Sequence, residues 1–397
     1  MRRAFEAVVI GCGGLGSAAA YWSAQRLGAD VLAIEQFNIG HERGSSQDHS
    51  RIIRRSYHDP IYMALAGASY DVWAEVEEAS GVQLVVKTGG LDLEMLGTSG
   101  PKDLSHCAMS MAEHGVPYEE LNAREVMERF PQFTLPEHAR GLYQADSGLV
   151  DARKSNAVHL ALARLQGATV LDNCPVRELR STGEGVEVVT DQGVFTAARV
   201  IVAAGAWTNT VLGSLDVSWP LTVTQEQVTY FATPHLREFA PGRFPVWIWR
   251  APQGFYGFPI YGEVATKAGQ DVGGEEVTAE TRTFDRNERT HDRLMQFLET
   301  HIPQFVGPEL YTKTCLYTMP PDRHFVLDHV PGHPHITIAV DGGHAFKFAS
   351  LIGKILSELA LDGRSDYPIE PFRADRPALT DPAFPPLFRN ESVVKRG

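Results

Sequence analysis

The residues best equipped for chemistry are spread along the whole chain. Near its start, Gly11, Gly13, Gly14 and Gly16 follow the apolar run Val8-Val9-Ile10, and Glu35 closes a second apolar run 19 residues beyond Gly16. Glycines so spaced permit a tight turn, a close approach of backbone to a pyrophosphate, and close packing of the next helix on its strand. The helix N-terminus then offers N–H groups to the phosphates, and the acid accepts hydrogen bonds from a ribose. The pattern predicts dinucleotide binding. Further along, Arg51, Arg54 and Arg55 enclose Ile52 and Ile53. Apolar neighbours imply partial burial, and buried guanidinium groups need anionic partners. Lys347 opens a predicted helix, where the helix dipole opposes a cation unless something anionic faces it. Lys267 falls in a predicted strand, where alternation also permits a surface lysine. Cys315, taken alone, reads as an ordinary core thiol. With Cys12, Cys107 and Cys174 so widely spaced, neither a disulfide framework nor a zinc site is expected, and no metal.

The elements that must position these groups follow from periodicity. Residues 7–36 read as strand, glycine turn, helix to about Leu27, and strand Val31 to Ile34. Tyr62 to Ala79 has the spacing of an amphipathic helix, with Met63, Ala66, Tyr70, Trp73 and Val76 on one face. From about Gly81 the composition shifts to short strands, then to a charged helical stretch ending near Phe130. A helix over Val158–Leu165, a strand at Ala168–Leu171 and a meander over Gly185–Val200 follow. A short buried strand, Val200-Ile-Val-Ala-Ala-Gly-Ala-Trp, then returns Gly205 and Trp207 to the first sheet. Alternating strands between Trp219 and Thr314 read as an antiparallel sheet, with a helix near Arg289–His301. The end repeats the opening grammar: strand His335–Val340, turn Gly342-Gly343, and a helix stopping at Asp362-Gly363. The expected architecture is α/β (α+β, two-domain). A discontinuous Rossmann-like nucleotide-binding domain (1–80, 146–215, 315–385) holds an inserted antiparallel-sheet substrate domain (81–145, 216–314).

The 397 residues are 43% hydrophobic and carry a formal charge of −13, which argues against nucleic acid or an anionic membrane as main partner. The apolar part of MRRAFEAVVIG belongs to the first strand, so no targeting signal is read there. No run approaches the ~18 apolar residues of a membrane helix. The expectation is a cytoplasmic protein, most simply a monomer, that must meet any anionic ligand with local positive charge.

Taken together, GCGGLG with Glu35, Gly44-Ser45-Ser46 with Arg51-Ile-Ile-Arg54, VIVAAGAWTN, Gly254-Phe-Tyr-Gly-Phe-Pro259, Lys267, Thr314-Cys-Leu-Tyr317 and Gly343-His-Ala-Phe-Lys347 give the chain its resemblance. It resembles the monomeric sarcosine oxidase and N-methyl-amino-acid oxidase family, within the D-amino-acid-oxidase-like flavoproteins. The resemblance implies FAD, joined by a thioether from Cys315 to the 8α-methyl of the flavin. It places Ser45, Ser46, Arg51, Val176, Gly205, Trp207, Gly342, Gly343, His344 and Lys347 at the cofactor beside the N-terminal glycines and Glu35; for His344 the reading from the residue itself is structural. Arg54 and Lys347 are implied to bind the substrate carboxylate. Lys267, with Arg51 on the same flavin face, is implied to stabilise charge as dioxygen is reduced. Tyr256 and Tyr317 are candidate pocket walls with hydroxyl handles.

One position departs from the family. Four residues after the active-site lysine the sarcosine oxidases carry a histidine; here it is Asp271. A carboxylate there could attract an amino group or a polar substrate chain, or cap a loop. The implied activity is oxidation of a secondary-amine amino acid, such as sarcosine, another N-methyl or a cyclic amino acid. Hydride would pass to flavin N5, the imine would hydrolyse, and dioxygen would become hydrogen peroxide. The alternatives are a fructosyl-amino-acid (amadoriase-like) oxidase and an FAD amine dehydrogenase with a non-oxygen acceptor.

Overall fold

Strand Ala4–Ile10 is apolar at its C-terminal end and buried there, flanked by Val31–Ile34 on one side and Gly193–Val202 on the other, both parallel to it. The structure is a computed structural model that describes residues 2–97, 103–250 and 253–388. Among these residues the first sheet has eight strands. Thr169–Leu171 extends it beyond Val31–Ile34, and His333–Val340 joins Gly193–Val202 in parallel. Runs as apolar as residues 8–10, 31–34 and 200–202 require cover on both faces. Helix Gly14–Leu27 packs against Ala152–Leu165 and Ala349–Asp362. The approach to the last is close enough that a Cβ on Gly353 would lie 2.4 Å from that of Ala18.

The second strand of the meander predicted after Gly185 and the short strand predicted to follow it are one element. Gly193–Val202 pairs antiparallel with Val186–Thr190 along its first half and parallel with Ala4–Ile10 along most of its length. No turn residue interrupts the run from Gly193 to Val202, so nothing breaks it.

The second sheet has nine strands among the described residues. Its long pair is Thr222–Phe231 against Glu309–Met319, and Thr266–Gln270 and Phe255–Phe258 continue it antiparallel. One pair departs from the expected antiparallel sheet: Val246–Trp249 runs parallel to Gly90–Met95. It is the seam where two sequence-distant segments meet, and a parallel pair there needs no hairpin. Cys315 lies inside Glu309–Met319, so it belongs to this sheet. Arg51–Ile53, Gly148–Val150 and Val85–Lys87 form a third, small sheet. Lys347 does not open the last helix as predicted; it sits in a short 3-10 turn, Phe346–Phe348, and the helix begins at Ala349. Among the described residues no helix is long and apolar enough to cross a membrane.

Candidate active site

Two cavities meet where the sheets face each other, sharing Gly14, Leu15, Ser45, Ser46, Gln47 and Asp341 in their walls. The smaller, about 330 Å³, is lined by Gly11, Gly13, Glu35, Val176, Gly205 and Trp207, among others. Glycine is demanded here. Gly11 has φ +92°, and a Cβ on it would lie 2.4 Å from the Ala203 carbonyl oxygen; one on Gly16 would lie 1.8 Å from that of Gly11. No side chain caps helix Gly14–Leu27 at Gly13, while the Gly14 N–H donates to Ser46 Oγ at 2.8 Å. The Glu35 carboxylate is not free. It accepts from the Cys12 N–H at 2.9 Å and the Phe37 N–H at 3.1 Å, and His41 lies 3.4 Å away. Burial pushes its pKa up, but His41 and the two amides outweigh that and hold it below the usual range.

The larger cavity, about 610 Å³, brings together Arg51, Arg54, Tyr256, Lys267, Asp271, Cys315, Tyr317, Gly343, His344 and Lys347. The loop from Ser45 to Ser50 grips the strand that carries Cys315: Ser45 Oγ donates to the Leu316 carbonyl and Gln47 Nε2 to that of Thr314. Arg51 closes the loop by donating to the Ser45, Gln47 and Ser50 carbonyls. Burial pushes the Cys315 thiol up to about 11. It raises the phenols of Tyr256 and Tyr317 above their ordinary range as well, so both stay neutral donors. The Gly342-Gly343 turn is left-handed at both residues, and a Cβ on Gly343 would lie 2.7 Å from the Tyr317 ring. His344 Nε2 contacts the Arg323 carbonyl at 3.0 Å, a structural contact for a buried imidazole.

The cations of this cavity fall into two sets. Lys267 is 2.7 Å from Asp48, Arg250 2.9 Å from Asp92, Arg323 2.7 Å from Asp271, and Lys313 2.7 Å from Glu42. Arg51, Arg54 and Lys347 have no carboxylate within ion-pair reach among the described residues. Arg51 is satisfied by carbonyls. Arg54 donates through one nitrogen to Ser56, at 3.1 Å to its Oγ, and lies over the Tyr57 ring. Among the described residues Lys347 Nζ donates one hydrogen bond, to the His344 carbonyl at 3.0 Å, and lies over the Phe348 ring. Burial, then the neighbouring Arg54 charge, push the Lys347 ammonium down to about 7. Two half-buried cations of one cavity wall, neither with a direct ion pair among the described residues, form a site for an anion.

Sequence reasoning missed the partners. Asp48 takes a left-handed conformation (φ +82°) rare for a non-glycine residue, accepts from the Tyr230 hydroxyl and forms an ion pair with Lys267. The sequence leaves Asp271 to attract an amino group or a polar substrate chain, or to cap a loop. The carboxylate instead forms a two-pronged ion pair with Arg323, at 2.7 and 2.9 Å, which neutralises it. Only an inward-facing Arg in the Pro320–His324 turn could have signalled this, and the sequence gives no orientation for it.

A family model described as FAD dependent oxidoreductase matches residues 6–359. Monomeric sarcosine oxidase of Streptomyces avermitilis is 34% identical over 385 residues, covering 93% of this chain and 97% of the relative. N-methyl-L-tryptophan oxidase of Escherichia coli is 31% identical over 383 residues, covering 94% and 99%. Among solved structures, NikD, an unusual amino acid oxidase essential for nikkomycin biosynthesis, superposes with a TM-score of 0.83 at 27% identity, covering 94% and 98%.

Proposed function

This chain belongs to the FAD-dependent oxidoreductase family, and we propose that it oxidises an N-methyl or other secondary amino acid, with dioxygen as electron acceptor and hydrogen peroxide as product. The observation that carries this reading is the pair Arg54 and Lys347, the cavity cations left short of acceptors. The cofactor fits the residues present: a glycine cradle with no room for side chains, an acid at its end, and a second cavity continuous with the first. Bound FAD would supply the acceptor for the hydride lost from the substrate α-carbon and would return the electrons to dioxygen.

The protein's own groups do the rest. The Arg54 fork takes two carboxylate oxygens and Lys347 adds a point charge. Both cations disfavour a second positive charge beside them, so the substrate amine is bound in its neutral, oxidisable form. Tyr256 and Tyr317 wall the site against water. Lys267, with Arg51 nearby, faces the negative charge that develops as dioxygen is reduced. Gly11, Gly13, Gly14, Gly16, Glu35, Ser45, Ser46, Val176, Gly205 and Trp207 hold the nucleotide, and Gly342, Gly343 and His344 shape the turn beside the flavin. Cys315 carries the covalent link. The reading includes a cytoplasmic monomer, with residues 1–80 and 146–215 and the chain beyond strand Glu309–Met319 forming the nucleotide-binding part. The fructosyl-amine alternative gains no support: Amadoriase I from Aspergillus fumigatus shares the fold at 18% identity and a TM-score of 0.77.

The test is the visible spectrum of the purified protein, mixed without oxygen with sarcosine and with larger N-methyl and cyclic amino acids, then exposed to air. Bleaching by one of them, with recovery in air and release of peroxide, is expected; a spectrum unmoved by the whole panel overturns the reading. After acid precipitation the yellow colour should stay with the protein, and Cys315→Ser should release it. A pH dependence follows from Lys347. Its cation is lost as pH rises through about 7, so the KM for carboxylate substrates, referred to the neutral-amine form, should climb between pH 6 and 9. Lys347→Met should raise KM at low pH and flatten that profile.

A further inference from the structure

We infer that the Asp271–Arg323 pair is a specificity element that masks two opposite charges at the substrate end of the larger cavity, so that the enzyme admits secondary amino acids with uncharged side chains and refuses acidic and basic ones. This rests on the reading of Arg54 and Lys347 as the carboxylate site. Both partners line the cavity, and their side chains keep 42% and 24% of their exposure, so a ligand can reach them. They are held from two directions. The Asp271 N–H donates to the Gly254 carbonyl at 2.8 Å, at the end of strand Thr266–Gln270. Arg323 is turned into the left-handed region (φ +60°), with its N–H on the Pro320 carbonyl at 2.9 Å and its own carbonyl met by His344. Rigid backbone on both sides makes the pair a fixed wall rather than a surface contact.

Its place in the site follows from its neighbours. His344 joins Arg323 to Lys347, its Nε2 on the Arg323 carbonyl and its own carbonyl accepting from Lys347 Nζ, both at 3.0 Å, whereas Lys267 sits on Asp48 and Ser50. The pair therefore flanks the substrate carboxylate and lies apart from the Lys267 side. Each Asp271 oxygen accepts one bond and has a lone pair to spare, and Arg323 has N–H groups left over. An amide or hydroxyl can use both. A carboxylate side chain meets the Asp271 charge or must displace it from Arg323. A basic side chain meets Arg323 in the same way. Like charges brought together at this wall repel, so exclusion acts on both signs.

Unmasking either charge should invert the preference. With holoenzyme, kcat/KM is measured for N-methylglutamate, N-methylglutamine and Nα-methylornithine. Wild type should favour the amide. Asp271→Asn should raise the acid-to-amide ratio about tenfold or more, and Arg323→Gln should raise the base-to-amide ratio by a similar factor. The doubly exchanged variant Asp271→Arg with Arg323→Asp should restore preference for the amide. Binding of glutarate against its monoamide, read as a perturbation of flavin absorbance, should move in the same direction without turnover. Ratios are insensitive to the fraction of folded enzyme. Equal losses on all three substrates, or ratios moving the same way in both variants, would overturn the proposal and leave a structural tie. Bleaching by any secondary amino acid still upholds the wider function, so the two failures are distinct.

Discussion

Replacing Lys267 by Met should slow reoxidation of the reduced enzyme by air about 10²–10³-fold, while reduction by substrate changes only a few-fold. Lys267 is 3% exposed, and its ammonium is fixed by Asp48 at 2.7 Å and by the Ser50 carbonyl and hydroxyl at 2.9 and 3.1 Å. A cation so held needs no reorganisation when negative charge appears beside it, which is why its removal costs the oxygen step specifically. Burial lowers its pKa and Asp48 restores part of the loss, leaving it at about 8. The reoxidation rate should therefore fall as pH rises through about 8, and Asp48→Asn should move that fall to lower pH. Lys267→Met alone strands a buried carboxylate, a loss of roughly 3–5 kcal/mol in such pairs. The double variant Asp48→Asn with Lys267→Met removes that penalty and should keep the slow oxygen step. Stopped-flow mixing of reduced enzyme with oxygenated buffer reads the rate directly; an unchanged rate in both variants would remove Lys267 from its assigned role.

Arg54→Met should lower kcat/KM for N-methyl amino acids by about 10²–10³, most of it in KM, because a desolvated charge pair to the carboxylate is lost. Secondary amines without a carboxylate should be affected far less. Arg54→Lys should recover only part of the loss, since an ammonium supplies charge but not the two-pronged fork. A uniform loss on amines with and without the carboxylate would instead point to damage through the chain Arg54–Ser56–Asp92–Arg250, which ties the same region together.

What could be read from the sequence was what is local. The βαβ unit ending at Glu35 is fixed by spacing within thirty or so residues, and its glycines declare their own backbone needs. Arg51 and Arg54 revealed partial burial through the isoleucines between them. Lys267, Lys347 and Cys315 were legible only through family resemblance, because a lysine in a strand or a cysteine in a core looks the same whatever it faces. Counter-charges were illegible. Arg323 and Asp271 are 52 positions apart and Arg250 and Asp92 are 158 apart, so no periodicity links them. For that reason the partner of Asp271 did not show in the sequence, and Asp48 drew no notice. The parallel seam between Val246–Trp249 and Gly90–Met95 was hidden in the same way, since strand direction follows from tertiary docking and not from alternation.

The first sheet is also a timetable. Its central strands are drawn from residues 4–10, 193–202 and 333–340, and helix Ala349–Asp362 must still settle on the first helix. A ribosome has therefore emitted most of the chain before the nucleotide cradle at Gly11 is backed by its full sheet. Until then the N-terminal strands present unpaired edges to the cell, and pairings over such separations form slowly. Cofactor capture is therefore tied to the arrival of residues 333–362 rather than to the synthesis of the opening motif.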